Sequence, residues 1–122
     1  MRPALPQLLL AAAITAIPAL ATAADWGKNP KIVESGCFAS VEGEVLVDYE
    51  CSILLYKGGD FEVSQLNGNV FVGVEVTGDG VGKAHYRETE GDHRMVEDLG
   101  SVRREKFDPA CWAGEMARVC AR

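Results

Sequence analysis

The sequence predicts a mainly β domain: a small antiparallel meander that closes into a sandwich or barrel and carries two disulfides. Three observations predict it. Val41 to Leu55 alternates apolar and polar side chains, the pattern of a half-buried antiparallel strand. Turn signals rich in glycine and asparagine break the apolar runs that follow at roughly ten-residue intervals, as in short strands joined by hairpins. Four cysteines fall in a small chain that opens with an export signal, which reads as a disulfide framework.

The export signal is assigned to residues 1–24. Arg2 is its lone charge, Leu5 to Leu20 has none, and Ala21-Thr22-Ala23 is a small-x-small cleavage site. The apolar run is short for a membrane span of ~20 residues and Pro18 interrupts it, so cleavage is expected rather than anchoring. No cysteine stands at the cleavage site to take a lipid, and no second apolar run follows, so no span is expected after cleavage. Residues 25–122 then form a single domain destined for the periplasm or the exterior. Its size is one at which disulfides usefully supplement the core. Cys37, Cys51, Cys111 and Cys120 allow three pairings, of which Cys37–Cys51 and Cys111–Cys120 close short local loops and are expected.

Trp26, Pro30 and the pair Ile32-Val33 belong to a leader that ends in a short strand. Next, Val41, Val45, Val47, Tyr49, Cys51, Ile53 and Leu55 share one parity, and Glu42, Glu44, Asp48, Glu50 and Ser52 the other. This is one strand, or two joined at Glu42-Gly43. Lys57-Gly58-Gly59, taken as a three-residue loop, sets Leu55 opposite Phe61, Ile53 opposite Val63 and Cys51 opposite Gln65. Asn67-Gly68 is a strong hairpin signal, because both central residues of a type I′ turn need positive φ. As a two-residue loop it sets Val63 against Val72 and Phe61 against Val74, with Glu62 against Gly73 on the other face. Gly78-Asp79-Gly80 repeats the device as a three-residue loop, pairing Val74 with Ala84, Val72 with Tyr86 and, across the outer face, Glu75 with Lys83.

A one-residue slip would turn every side chain over, and these registers leave one consistent apolar face. The strands then fall near 44–56, 60–66, 69–77 and 81–88. The expected core is Val45, Val47, Ile53, Leu55, Phe61, Val63, Val72, Val74 and Tyr86. After a polar break at Glu88 to Asp92, Met95, Leu99 and Val102 have the spacing of a helical turn, and helix and strand fit equally. Cys111 to Cys120 reads as a disulfide-closed hairpin. Leu46, Leu54, Leu66 and Phe71 fall on the polar face, and the C-terminal segment with Met95, Leu99 and Trp112 is expected to cover them.

No motif carries identifiable chemistry. Gly78 to Ala84 has the look of a phosphate loop, but three residues separate Gly78 from Gly82 where four are needed, and Ala84 follows Lys83 in place of Ser or Thr. Asp79 lacks the alternating ligands of a calcium loop. The cysteines lack C-x-x-C spacing and the only histidines are His85 and His93, so neither a metal nor another cofactor is expected. His85 is placed on the outer strand face near Gly73, with no fixed carboxylate or serine at a telling spacing, and no catalytic role is assigned.

Charge narrows the partners. After the signal there are 18 acidic and 11 basic residues, a net charge of −7. Asp25 to Asp79 holds 10 acidic and 3 basic residues, while Gly80 to Arg122 holds 8 of each. Phosphate binding needs a basic surface, so nucleic acid is not expected, whereas a basic protein would be attracted. Glu42, Glu44, Asp48 and Glu50 project beside Leu46 and Leu54, and these six form the candidate binding face. In general build the chain resembles small exported lysozyme inhibitors: acidic, β-rich, about 100 residues and disulfide-closed. The resemblance is of build and not of motif. It implies an exported, non-catalytic binding or inhibitory module directed at a basic protein such as a lysozyme-like hydrolase. The alternatives are an envelope accessory or structural protein and, more distantly, a small hydrolase.

Overall fold

Turn chemistry sets the path of this chain. The computed structural model describes residues 29–90 and 93–122, so the targeting segment, Trp26 and the centre of the break after Glu90 lie outside the described residues. The strands are β1 (Lys31–Val41), β2 (Glu44–Leu55), β3 (Phe61–Gln65), β4 (Val70–Gly78), β5 (Val81–Glu90), β6 (His93–Arg104), β7 (Cys111–Ala113) and β8 (Ala117–Ala121). They run antiparallel in chain order round a closed barrel.

Glu42-Gly43 joins β1 to β2 as a two-residue turn with both residues at positive φ, so the long alternating run is two strands. Three expected registers are present. Leu55 pairs with Phe61 and Ile53 with Val63; Phe61 pairs with Val74 and Val63 with Val72; Val72 pairs with Tyr86 and Glu75 with Lys83. Two turns differ in detail. After β3 only Asn67 takes positive φ and pairing stops at Val63 and Val72, so the loop is wider than the expected two-residue type I′ turn. The other is the turn after β4. Gly78 pairs with Val81, so Asp79-Gly80 is the loop and the register shifts between Val76 and Gly78, which restores the expected pairing below it. Asp60 supports the turn after β2 by accepting a 2.8 Å hydrogen bond from the Val76 N–H.

The barrel closes where β8 pairs with β1, Phe38 opposite Cys120 and Val41 opposite Ala117. Its interior holds Val47, Cys51, Ile53, Phe61, Val63, Val72, Val74, Leu99, Val102, Trp112 and Val119. Cys37 and Cys51 form a disulfide between β1 and β2, and both are buried in that interior. Cys111 and Cys120 pair directly across β7 and β8 and form the other. Disulfides form and persist mainly in oxidising environments, which these two fit. Among the described residues no helix is long and apolar enough to cross a membrane.

A bulge and a strand end account for the exposed residues of the expected core, and a second bulge accounts for the spacing of Leu99 and Val102. Ala39 pairs with Val47 but Ser40 pairs with Val45, so Leu46 is an extra residue on β2. Parity flips there: Leu46 packs against the core and Val45 is 51% exposed. Leu55, at the open end of β2, is 40% exposed. On β6, Ala84 pairs with Gly100 and His85 with Asp98, so Leu99 is the extra residue. The bulge turns both Leu99 and Val102 inward, which mimics helical spacing inside a strand. Gly100 takes φ +87 there, and its N–H donates to Asp98 Oδ1 at 2.8 Å. The C-terminal segment closes a barrel, one of the two expected forms, rather than covering a second sheet face. It supplies β6 to β8, which close the first face into a ring and place Leu99 and Trp112 inside it.

Candidate functional site

Three features lie outside the packed interior. One is the end of the barrel that carries the turns after β1, β3 and β7. The bulge at Leu46 swings the start of β2 round so that Glu44 and Leu46 face β5 and β6 rather than solvent alone. Val41, Glu42, Glu44, Leu46, Tyr86, Glu97 and Leu99 line a cavity of about 490 Å³ there. The apolar side chains form its floor and Glu42, Glu44 and Glu97 its rim. Tyr86 donates to Glu88 Oε1 at 2.9 Å. Burial, that hydrogen bond and the charges of Glu88, Glu97 and Glu44 all push the Tyr86 hydroxyl above its ordinary range. The mouth is therefore a site of negative potential over an apolar floor.

Another is the edge of β2. Its ladder to β3 covers only Cys51 to Leu55, because β3 ends at Gln65 and the Gly68 N–H donates back to the Gln65 carbonyl at 2.9 Å. Past that point the Gln65 side chain stands in for a strand. The Asp48 N–H donates to Gln65 Oε1 at 2.9 Å, and Gln65 Nε2 donates to the Glu50 carbonyl at 3.3 Å. Between them Tyr49 takes φ +71, a left-handed conformation uncommon for a bulky residue, and is 83% exposed. Glu34, Ser35, Gly36, Glu50, Cys51 and Leu66 line a shallow cavity of about 420 Å³ beside it.

The remaining feature is a buried polar cluster on the outer side of the strands. Glu62 lies opposite Gly73 on β4, and Gly73 lies opposite His85 on β5. With no side chain on Gly73, Glu62 and His85 meet over it. A Cβ there would sit 2.6 Å from both side chains. His85 Nε2 and Glu62 Oε2 share a 2.7 Å hydrogen bond. Arg87 donates from Nε to Oε2 at 2.9 Å and from Nη2 to Oε1 at 2.8 Å, and the Tyr56 hydroxyl donates to Oε1 at 2.7 Å. The Arg87 guanidinium also stacks 4.1 Å from the centre of the Phe71 ring. Burial pushes the Glu62 carboxyl up. The hydrogen bonds from His85 and Arg87 and the charge on Arg87 outweigh it and hold the group down at about 2. Burial and the hydrogen bond to Glu62 push the Tyr56 hydroxyl up.

The sequence places His85 on the outer face without a carboxylate partner. The structure corrects this: His85 is buried against Glu62. The cavity beside it is lined by Glu75, Lys83, Ala84, His85, Val96 and Asp98, none a hydroxyl or thiol nucleophile. Both Glu62 oxygens are engaged by Arg87, which fits a structural ion pair better than a proton-transfer site.

The six candidate binding residues do not share one face. Glu42, Glu44, Asp48 and Glu50 are exposed, but Leu46 is drawn against the core and Leu54 is buried. Glu42, Glu44 and Leu46 gather at the mouth, while Glu50 lines the cavity by Leu66. The bulge at Leu46 and the turned backbone of Tyr49 separate them. Sequence reasoning missed Tyr86, Glu97 and Leu99 as mouth residues, Glu62 as the partner of His85, and Tyr56 and Arg87 as further donors to that carboxylate. Only the row Glu62, Gly73, His85 carried a readable signal, in the hairpin registers. The chain matches no protein-family model, and no curated protein and no solved structure shows significant similarity to it.

Proposed function

We propose that the chain is an exported, non-catalytic binding module for a basic protein, with inhibition of a lysozyme-like hydrolase of the periplasm or exterior as its most concrete form. The observation that carries this is the acid-rimmed mouth. Val41, Leu46, Tyr86 and Leu99 offer apolar surface to the aliphatic stem of an arginine or lysine, and Glu42, Glu44 and Glu97 offer charge to its head. The rim steers encounter and the floor supplies the burial that slows release.

Binding kinetics against a panel of basic hydrolases that includes a lysozyme test this. Reversing Glu44 and Glu97 to lysine should slow association at low ionic strength by about tenfold and flatten its salt dependence. Leu46→Ala should speed dissociation. Association with every hydrolase that is weak, or indifferent to salt and to charge reversal, would remove the mouth from any binding role.

A further inference from the structure

We infer that the free edge of β2 between Glu44 and Glu50 is a strand-addition site for an extended, basic segment of the partner. The inference deepens the proposed function and rests on its basic partner. Glu44 to Glu50 pairs with β1 on one side, and among the described residues no strand pairs with it on the other. At ~3.3 Å per extended residue the open stretch spans at most about 23 Å, with the Leu46 bulge and the left-handed Tyr49 within it, enough for a short, irregular strand. An edge of this kind exposes backbone donors and acceptors that another chain can complete.

The Gln65 side chain marks how the edge is read. Its amide gives an acceptor to the Asp48 N–H and a donor to the Glu50 carbonyl. The backbone of an added strand offers the same two kinds of group, a carbonyl acceptor and an N–H donor. Gln65 is exposed and held at its tip by these two bonds, so an incoming strand can displace it and restore both.

Charge selects the occupant. Glu44, Asp48 and Glu50 are all exposed along the edge. A second copy pairing there would set carboxylates against carboxylates, whereas a strand with alternating lysine or arginine meets opposite charges across the ladder. Exposed Tyr49 supplies an aromatic contact beside the added strand.

The test uses the purified protein labelled with 15N and an acetylated, amidated eight-residue peptide of alternating lysine and valine. Two further peptides carry N-methyl groups on every second amide, one in each phase. Strand addition presents only one edge of the peptide to the protein. One phase of methylation should therefore weaken binding by about tenfold or more, and the other should leave it within about twofold. Amide exchange should slow within Glu44 to Glu50, and Gln65→Ala should tighten binding several-fold by clearing the edge.

Equal binding of both methylated peptides would overturn strand addition while leaving a basic partner in place. Shifts confined to Tyr86 and Leu99 would do the same and assign the peptide to the mouth. No binding of the parent peptide at millimolar concentration overturns strand addition, and the hydrolase kinetics, run alongside, show whether the proposed function falls with it. A dimer of the protein alone that the peptide dissolves would give the edge to a second copy and overturn it too.

Discussion

Glu62→Gln should be one of the costliest single substitutions in the chain. The native carboxylate has 0% exposure and takes hydrogen bonds from Tyr56, His85 and both ends of the Arg87 fork. Glutamine keeps the shape but loses the charge, and it turns an NH₂ group toward donors. Arg87, whose side chain is 7% exposed, then stays buried without its counter-charge. Removing one partner of such a pair costs ~3–5 kcal/mol, against a total of ~5–15 kcal/mol for a domain. At ~4–8 °C per kcal/mol the melting temperature should fall by roughly 12–40 °C. Urea unfolding with the disulfides intact measures the difference.

Its pH dependence supplies a second check. The Glu62 carboxyl titrates near 2 in the folded chain against 4.5 ordinarily. A depressed carboxylate stabilises fully above its unfolded pKa, and this is lost as pH falls through the folded one. The gap between wild type and Glu62→Gln should therefore narrow between about pH 4.5 and 2. Glu62→Leu combined with Arg87→Met removes both charges and should recover most of the loss. A gap under about 1 kcal/mol at pH 7, or one unchanged down to pH 2, would refute the account of the cluster as a stabilising ion pair.

Other substitutions probe the frame around it. Phe61→Ala empties a buried interior position and should lower the unfolding free energy by ~3–5 kcal/mol; an unchanged urea midpoint would show that Phe61 does not face the core. Gly73→Ala sets a Cβ 2.5 Å from the Phe61 carbonyl oxygen and 2.6 Å from Glu62 Cγ and His85 Cε1. It should destabilise by ~1–3 kcal/mol or more and shift the His85 ring resonances, and a neutral result would mean the two strands part easily. Replacing Cys37 and Cys51 together by alanine should cost ~2–4 kcal/mol, and non-reducing peptide maps should show Cys111 with Cys120 in the variant and the wild type.

The hairpins were legible because two independent signals agreed at each. Asn67-Gly68 marks a turn, and one register around it puts Phe61 and Val63 beside Val74 and Val72, although the turn itself is wider than the expected type I′ pair. The bulges at Leu46 and Leu99 were not legible, since an extra residue leaves no mark in alternation except a parity error. At Leu46 that error looked like an exposed leucine, and from Leu99 to Val102 it looked like a helix. The buried cluster was half legible. The registers already set Glu62, Gly73 and His85 in a row, but charged residues on an outer strand face read as solvated. What makes this row different is the missing side chain at Gly73, which lets groups two strands apart meet. The mouth depends on the Leu46 bulge and on closure between β1 and β8, both long-range outcomes that no local pattern announces.

The seam between β1 and β8 gives assembly a direction. Among the described residues every other strand pairing joins neighbours in the chain, but here the Ser35 hydroxyl donates to the carbonyl of Arg122, 87 positions away. On the export route proposed for this chain, threading N-terminus first through a translocon would let the early hairpins form one by one on the far side. The ring cannot shut until Ala117–Ala121 emerges. Until then the outer edge of β1 is bare, and bare edges invite chaperones or aggregation. The cost of that wait is one of time, since loop closure entropy rises only with the logarithm of length. The Cys37–Cys51 bond needs nothing from β8. On that proposed route an oxidant at the exit would lock the first hairpin early and make its formation a ratchet against backsliding.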